Sequence, residues 1–204
     1  MASPSAPTFP SAAHMSKEPR LAGKVAVVSG ASRGFGQAIA VRFVEEGARV
    51  VCLSRSPCDE TFALIRSIAG APALEDCALW VAADIASEAD CARVTAAVEA
   101  TWGDRIHVLV NNAALFVFKS VEEASADDWD RSASVNIKGH ALLTKAVLPF
   151  MKRAGGGSIV WQGSISSFLA QPNCATYSAM KGEGVGGWGV GGWEEGLKVG
   201  GVVG

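Results

Sequence analysis

KVAVVSGASRGFG, residues 24–36, is the stretch whose reading decides the fold. Residues 24–29 form a short run rich in β-branched side chains that ends at a glycine, the pattern of a buried strand. From Gly34 onward, Phe35, Ala38, Ile39, Val41, Phe43 and Val44 recur at near-helical spacing until Gly47 closes the helix. Gly30, Ser32, Arg33, Gly34 and Gly36 follow the strand and open the helix. Glycines there let the backbone turn sharply and come close to a ligand. The helix start offers free N–H groups and the positive end of a dipole, which suits a pyrophosphate. The spacing is GxxxGxG rather than GxGxxG, and on its own it also describes a plain turn. Its place between a strand and a helix gives it weight.

Outward from this unit the alternation repeats. Residues 49–53, 78–82, 106–110 and 158–161 read as four further strands. Residues 59–69, 87–101 and 126–152 carry helical apolar spacing, with Ser87 a candidate cap. Five strands separated by helices require crossover connections and hence a parallel sheet. Right-handed crossovers then give a Rossmann-type, doubly wound α/β/α fold. Ligands of such sheets bind beyond the carboxyl ends of the strands, where every motif below falls.

Composition narrows the function classes. Hydrophobic residues are 49% of 204 and charged residues 19%, which excludes a disordered chain. A net charge of −2 leaves no basic footprint for nucleic acid. No apolar run approaches the ~18 residues of a membrane span. Cys52, Cys58, Cys77, Cys91 and Cys174 are scattered without a CxxC, which argues against a disulfide scaffold or zinc site and fits a reducing, cytoplasmic setting. Residues 1–20 are rich in Ser, Ala and Pro and read as a disordered leader, with organellar targeting as the alternative. Residues 21–181 read as the regular domain. In 182–204, 11 of 23 residues are glycine, so an irregular tail is expected.

Further motifs lie at the other strand ends. Asn111-Asn112-Ala113-Ala114 follows the fourth strand, Asn136 lies in the long helical stretch, Ser164 follows the fifth strand, and YSAMK spans Tyr177 to Lys181. Ser164 precedes Tyr177 by thirteen residues (177 − 164). Taken singly, each has a plain structural role: a packed tyrosine, a loop serine, a solvated lysine, a helix-kinking asparagine. Together with SGASRGFG, in this order and spacing, they resemble the short-chain dehydrogenase/reductase family over about residues 21–181. The resemblance implies an oxidoreductase that moves a hydride between a nicotinamide cofactor and a carbonyl or secondary alcohol. It implies Asn136, Ser164, Tyr177 and Lys181 as catalytic residues. Tyr177 would exchange the proton, and a lysine four residues on, sharing its helical face, favours the phenolate form. Ser164 would hold the substrate oxygen, and Asn136, in a locally distorted helix, would support a water that relays protons.

For the cofactor, the resemblance points to Gly30, Ser32, Arg33, Gly34, Phe35 and Gly36 at the pyrophosphate. It adds Asp84 and Ile85 at the adenine, Asn112 and Ala113 on the nicotinamide side, and Tyr177 with Lys181. Family members that use NAD carry an aspartate where this chain has Ser54; Arg55 follows it, and Arg33 lies in the glycine turn. Two guanidinium groups can clamp a 2′-phosphate, so NADP(H) is favoured over NAD(H). The solvated-surface reading of both arginines stays open. Ala114 replaces the family glycine. Apolar residues after the fourth and fifth strands suggest a substrate with hydrophobic surface. Family members are usually homo-oligomers, whereas here the interface helix, sixth strand and seventh strand are expected to be missing after Lys181. The alternative reading is therefore a catalytically weak or inactive nucleotide-binding fragment, arising from a splice or gene-model artefact or acting as a regulatory partner.

Overall fold

A computed structural model describes residues 19–202 other than 69, 71, 170 and 187–196, with the backbone alone for 183–186 and 197–202. Residues 1–18 of the expected leader and much of the expected tail lie outside these residues; Arg20, assigned to the leader by sequence, instead pairs with Glu46 (2.9 Å). The first strand, β1 (Val25–Ser29), leads into helix α1 (Gly34–Glu45), β2 (Arg49–Ser54) and α2 (Asp59–Arg66). A short helix α3 (Leu74–Cys77), β3 (Ala78–Ala82), α4 (Glu88–Trp102) and β4 (Val108–Asn111) follow. Then come α5 (Ala126–Ala133), α6 (His140–Arg153), β5 (Gly157–Gln162), α7 (Ala175–Gly186) and β6 (Leu197–Val202). The sheet has the order β3-β2-β1-β4-β5-β6 with every pair parallel. The order reverses beside β1, between β1 and β4, and that switch point is where a doubly wound sheet opens a crevice.

The strands read as continuous apolar runs because both faces of the sheet are covered. In β2, Val51 and Leu53 join Val94 and Val98 of α4 and Leu143 and Val147 of α6 in one core. Val50 and Cys52, pointing the other way, join Ala40 and Val44 of α1 and Ile65 of α2 in a second. His107, just before β4, accepts a hydrogen bond from the Val25 amide through Nδ1 (3.1 Å) and so ties the start of β1 to that of β4.

The stretch read as one helix over 126–152 is continuous but not uniform. Ser125 caps α5 in a capping box with Asp128. A π-helical segment, Ser134–Gly139, then separates α5 from α6. Ser87 caps α4 as expected, accepting from the Asp90 amide (3.2 Å).

The C-terminal stretch differs from expectation. Helix α7 continues past Lys181 to Gly186, and residues 197–202 pair with β5 from Gly157↔Leu197 to Gln162↔Val202. A sixth strand is therefore present, and the irregular-tail expectation is corrected for these residues. The physical reason is that a strand ladder is made by backbone N–H and C=O groups, which glycine supplies as well as any residue. The open edge of β5 offers a template for them.

Candidate active site

The glycine turn is built from interactions that close it against the end of β4. Gly30 and Gly34 have φ of +70° and +62°, a region that favours glycine. Gly36 serves close approach: a Cβ there would lie 2.2 Å from the Gly30 carbonyl oxygen and 2.6 Å from Asn112 Nδ2. The Ser29 hydroxyl donates to the Val110 carbonyl (3.1 Å) and accepts from the amides of Asn112 (3.0 Å) and Ala113 (3.1 Å). Asn112 Nδ2 returns a bond to the Ser29 carbonyl (2.8 Å). Arg33, at the N-cap of α1, gives no side-chain cap, and no acidic residue sits in the first turn. The first amides of α1 therefore open toward solvent without a carboxylate of their own.

A cleft of about 870 Å³ lies beyond the strand ends, from Gly30, Ser32, Arg33 and Gly34 across to Asn112–Leu115 and Val135. Arg55 lines it beyond β2, and Asp84 and Ile85 line it beyond β3. Asp84 Oδ1 accepts the Ala86 amide (2.9 Å), so this carboxylate also shapes its own turn. Arg33 and Arg55 are exposed and take part in no described ion pair. Phe35 is exposed at the start of α1 and is absent from the cleft wall. A glycine cradle closed by Asn112, an uncapped helix start and two guanidinium groups without a described ion pair fit a phosphate-bearing dinucleotide.

Ser164, Tyr177 and Lys181 do not line that cleft; they lie past its Leu115 end, reached through the segment after β4. Leu115, a wall residue, is held by Asn136: the Leu115 amide donates to Oδ1 (3.0 Å) and Nδ2 donates to the Leu115 carbonyl (2.8 Å). The next residue, Phe116, packs its ring 4.6 Å from that of Tyr177. Tyr177 and Lys181 share one face of α7, with Nζ 5.7 Å from the tyrosine ring centroid. Lys181 is buried, and Nζ donates to the Gln162 carbonyl at the end of β5 (2.5 Å). Burial lowers its pKa to about 8. Ser164 accepts the Ser166 amide (3.2 Å), which caps a 3₁₀ turn over Ile165–Ser167 and leaves its own O–H available.

Several neighbours carried no signal of their own in the sequence. Gln162 acts through a main-chain carbonyl, which every residue possesses. Leu115 and Val135 are ordinary apolar residues. His140, which reads as packing, lies under the site: Nε2 is 2.7 Å from the Ala113 carbonyl and the ring meets Trp161 edge-on at 5.4 Å. Desolvation pushes its pKa down to about 4, so the ring is neutral at ordinary pH and Nε2–H is the donor. Phe118 stacks against Phe116 at 6.0 Å, and Phe118, Ile165, Phe168 and Leu169 are exposed.

Comparison with known proteins gives a consistent picture. The family model described as short chain dehydrogenase matches residues 24–188. An NADP-dependent (R)-specific alcohol dehydrogenase of Lentilactobacillus kefiri is 38% identical over 164 residues, covering 80% of this chain and 63% of that one. Human dehydrogenase/reductase SDR family member 4 is 33% identical over 174 residues, covering 82% and 59%. A solved structure described as a short-chain alcohol dehydrogenase from Sinorhizobium meliloti 1021 superposes with a TM-score of 0.73 at 35% identity, covering 81% of this chain and 64% of the other. The chain spans about three fifths of the length of the curated relatives it matches.

Proposed function

This chain belongs to the short-chain dehydrogenase/reductase family, and from that premise we propose an NADP(H)-dependent oxidoreductase that interconverts a carbonyl and an alcohol, with Tyr177 as general acid/base. One observation carries the reading: Tyr177 and Lys181 converge on one face of α7, beside the end of a cleft floored by the glycine turn. When bound, the nicotinamide supplies or accepts the hydride. The rest of the work falls to side chains of this chain.

Gly30, Ser32, Arg33, Gly34, Phe35 and Gly36 would hold the pyrophosphate, the last three through the opening amides of α1. Asp84 and Ile85 would border the adenine, and Asn112 and Ala113 the nicotinamide side. Arg33 and Arg55 face the same cleft and would neutralise a 2′-phosphate. Ser54 places no carboxylate there to repel it. The name of the Lentilactobacillus kefiri relative agrees with this preference.

In reduction, the Tyr177 hydroxyl gives its proton to the carbonyl oxygen, and in oxidation it takes one back. Negative charge develops on the phenolic oxygen, and the Lys181 ammonium stabilises it from within the same site. The anchor to the Gln162 carbonyl fixes where that charge sits. Ser164 keeps its O–H free to donate to the substrate oxygen. Both ends of the Asn136 side chain are engaged by Leu115. Its side chain therefore sets the course of the segment that brings Phe116 against Tyr177, and a relay water would rest on main-chain carbonyls of the π segment.

The test is to mix purified protein with NADPH or NADH and a panel of aldehydes and ketones, and to follow cofactor consumption. The reading expects carbonyl-dependent consumption that is faster with NADPH. Faster consumption with NADH would remove the cofactor assignment, and cofactor binding without turnover would indicate a nucleotide-binding role instead.

A further inference from the structure

The loop that presents Arg55 to the cleft is organised around a single hydroxyl. Ser54 ends β2 and is buried, with 6% of its surface exposed. Its Oγ lies 2.6 Å from the Ser56 carbonyl, 3.2 Å from Trp80 Nε1 and 3.1 Å from Cys58 Sγ. A carbonyl only accepts and an indole N–H only donates, which fixes the direction of the first two bonds. The one hydroxyl proton goes to Ser56, so it is committed within the protein and is not available to a cofactor. Cys58 Sγ, which also lies 4.0 Å from the Cys52 carbonyl, is the third neighbour of this hydroxyl.

The partners occupy three different places. Ser56 lies within the loop after Arg55, Cys58 is the N-cap of α2, and Trp80 is on the neighbouring strand β3, paired through Cys52↔Trp80. The hydroxyl therefore ties the loop to itself, to the next helix and to the sheet. Arg55 and Ser56 both line the cleft. Arg55 is exposed and has no described ion pair of its own to hold it, so its starting point depends on this backbone.

We propose that Trp80, acting through Ser54, is a positioning residue for cofactor discrimination: the Trp80–Ser54–Ser56 hydrogen-bond chain sets the loop that aims Arg55 at a 2′-phosphate. The inference rests on the NADP(H) reading and adds to it a residue outside the cleft. Only a ligand that bears the 2′-phosphate feels the aim of Arg55. Loss of the chain therefore weakens NADPH and adenosine 2′,5′-bisphosphate and spares NADH. A purely structural tryptophan would affect all three alike.

The experiment titrates NADPH, NADH and adenosine 2′,5′-bisphosphate calorimetrically into the wild type and into Trp80→Phe, which keeps an aromatic ring and removes the donor. Loss of one hydrogen bond predicts about a fivefold weaker Kd for the two phosphorylated ligands, with NADH unchanged. Ser54→Ala should reproduce the pattern and Ser54→Thr, which keeps the hydroxyl, should restore it. Equal weakening of all three ligands, or no change in any, overturns the proposal. A wild type that binds NADH as tightly as NADPH overturns the NADP(H) reading itself, and that arm is read before any variant.

Discussion

Lys181 is buried among groups that do not neutralise it. Its Nζ meets a carbonyl rather than a carboxylate, and desolvation lowers its pKa from the ordinary 10.5 to about 8. The unfolded chain keeps the ordinary value, so between pH 8 and 10.5 the unfolded state binds more protons than the folded one. The sign follows: this group makes folding more favourable as pH rises through that window, and its cost is complete below pH 8. The swing is on the order of 3 kcal/mol. Under the proposed mechanism activity should move the other way, because the ammonium assigned to steady charge on Tyr177 is lost above pH 8. Denaturant melts and kcat/KM profiles across pH 7–10.5 check both limbs. Lys181→Met should flatten the stability slope, and Lys181→Arg should shift the fall in activity to higher pH. At this scale the sequence was most legible for side chains that act chemically: Tyr177, Lys181, Arg33 and Arg55 stand out by type and spacing. It was silent on Gln162 and Leu115, whose contributions are backbone atoms. It also offered no cue that His140 grips the Ala113 carbonyl, since that contact joins residues 27 apart.

Among the elements, α1 and the π segment hold the cofactor side in place by close approach. The two glycines at the start of α1 differ in why they are needed. At Gly34 a Cβ meets open space, but φ is +62°, so Gly34→Ala should cost about 1–2 kcal/mol through conformation alone. At Gly36 the Cβ would strike the Gly30 carbonyl at 2.2 Å, which is main chain and cannot swing away. Gly36→Ala should push α1 off the turn, cost about 1–3 kcal/mol, and weaken NADPH binding more than Gly34→Ala does. Paired titration and thermal melts of the two variants check this ranking. Strand and helix positions were legible because the two cores bury both faces of β2, which gives a continuous apolar run, and impose a 3.6 period on α4 and α6. The exact break at Ser134–Gly139 was not legible. Asn136 suggested a distorted helix but not its limits; at its end Gly139 packs so closely that a Cβ there would sit 2.7 Å from Ile85 Cγ1, a contact between residues far apart in the chain.

Across the whole molecule, a parallel sheet carries the site on its carboxyl-terminal edge, and β6 extends that sheet beside β5. A glycine-rich stretch read as irregular because propensity scales count side chains, while pairing with β5 counts backbone groups. The consequence is measurable. Deleting residues 197–202 uncovers the β5 edge, so the shortened protein should scatter light and lose solubility at concentrations where the full chain is clear; equal behaviour would mean that β6 does not protect that edge. The fold as a whole was legible from alternation alone, since covered strands and crossover helices leave few arrangements. What alternation could not supply was the relation of α7 to the cleft, because Phe116 against Tyr177, Lys119 beside Cys174 and Ser132 on Thr176 join residues more than 40 apart in the chain.

The most direct measurement of the central claim separates binding from chemistry in Tyr177→Phe, which removes one oxygen and keeps the ring against Phe116. NADPH should still bind, with any loss confined to the one hydroxyl contact and read by fluorescence titration, while carbonyl-dependent NADPH consumption should fall by about 10²–10⁴-fold, the range supplied by a positioned acid/base. Wild-type turnover in that variant would contradict the account.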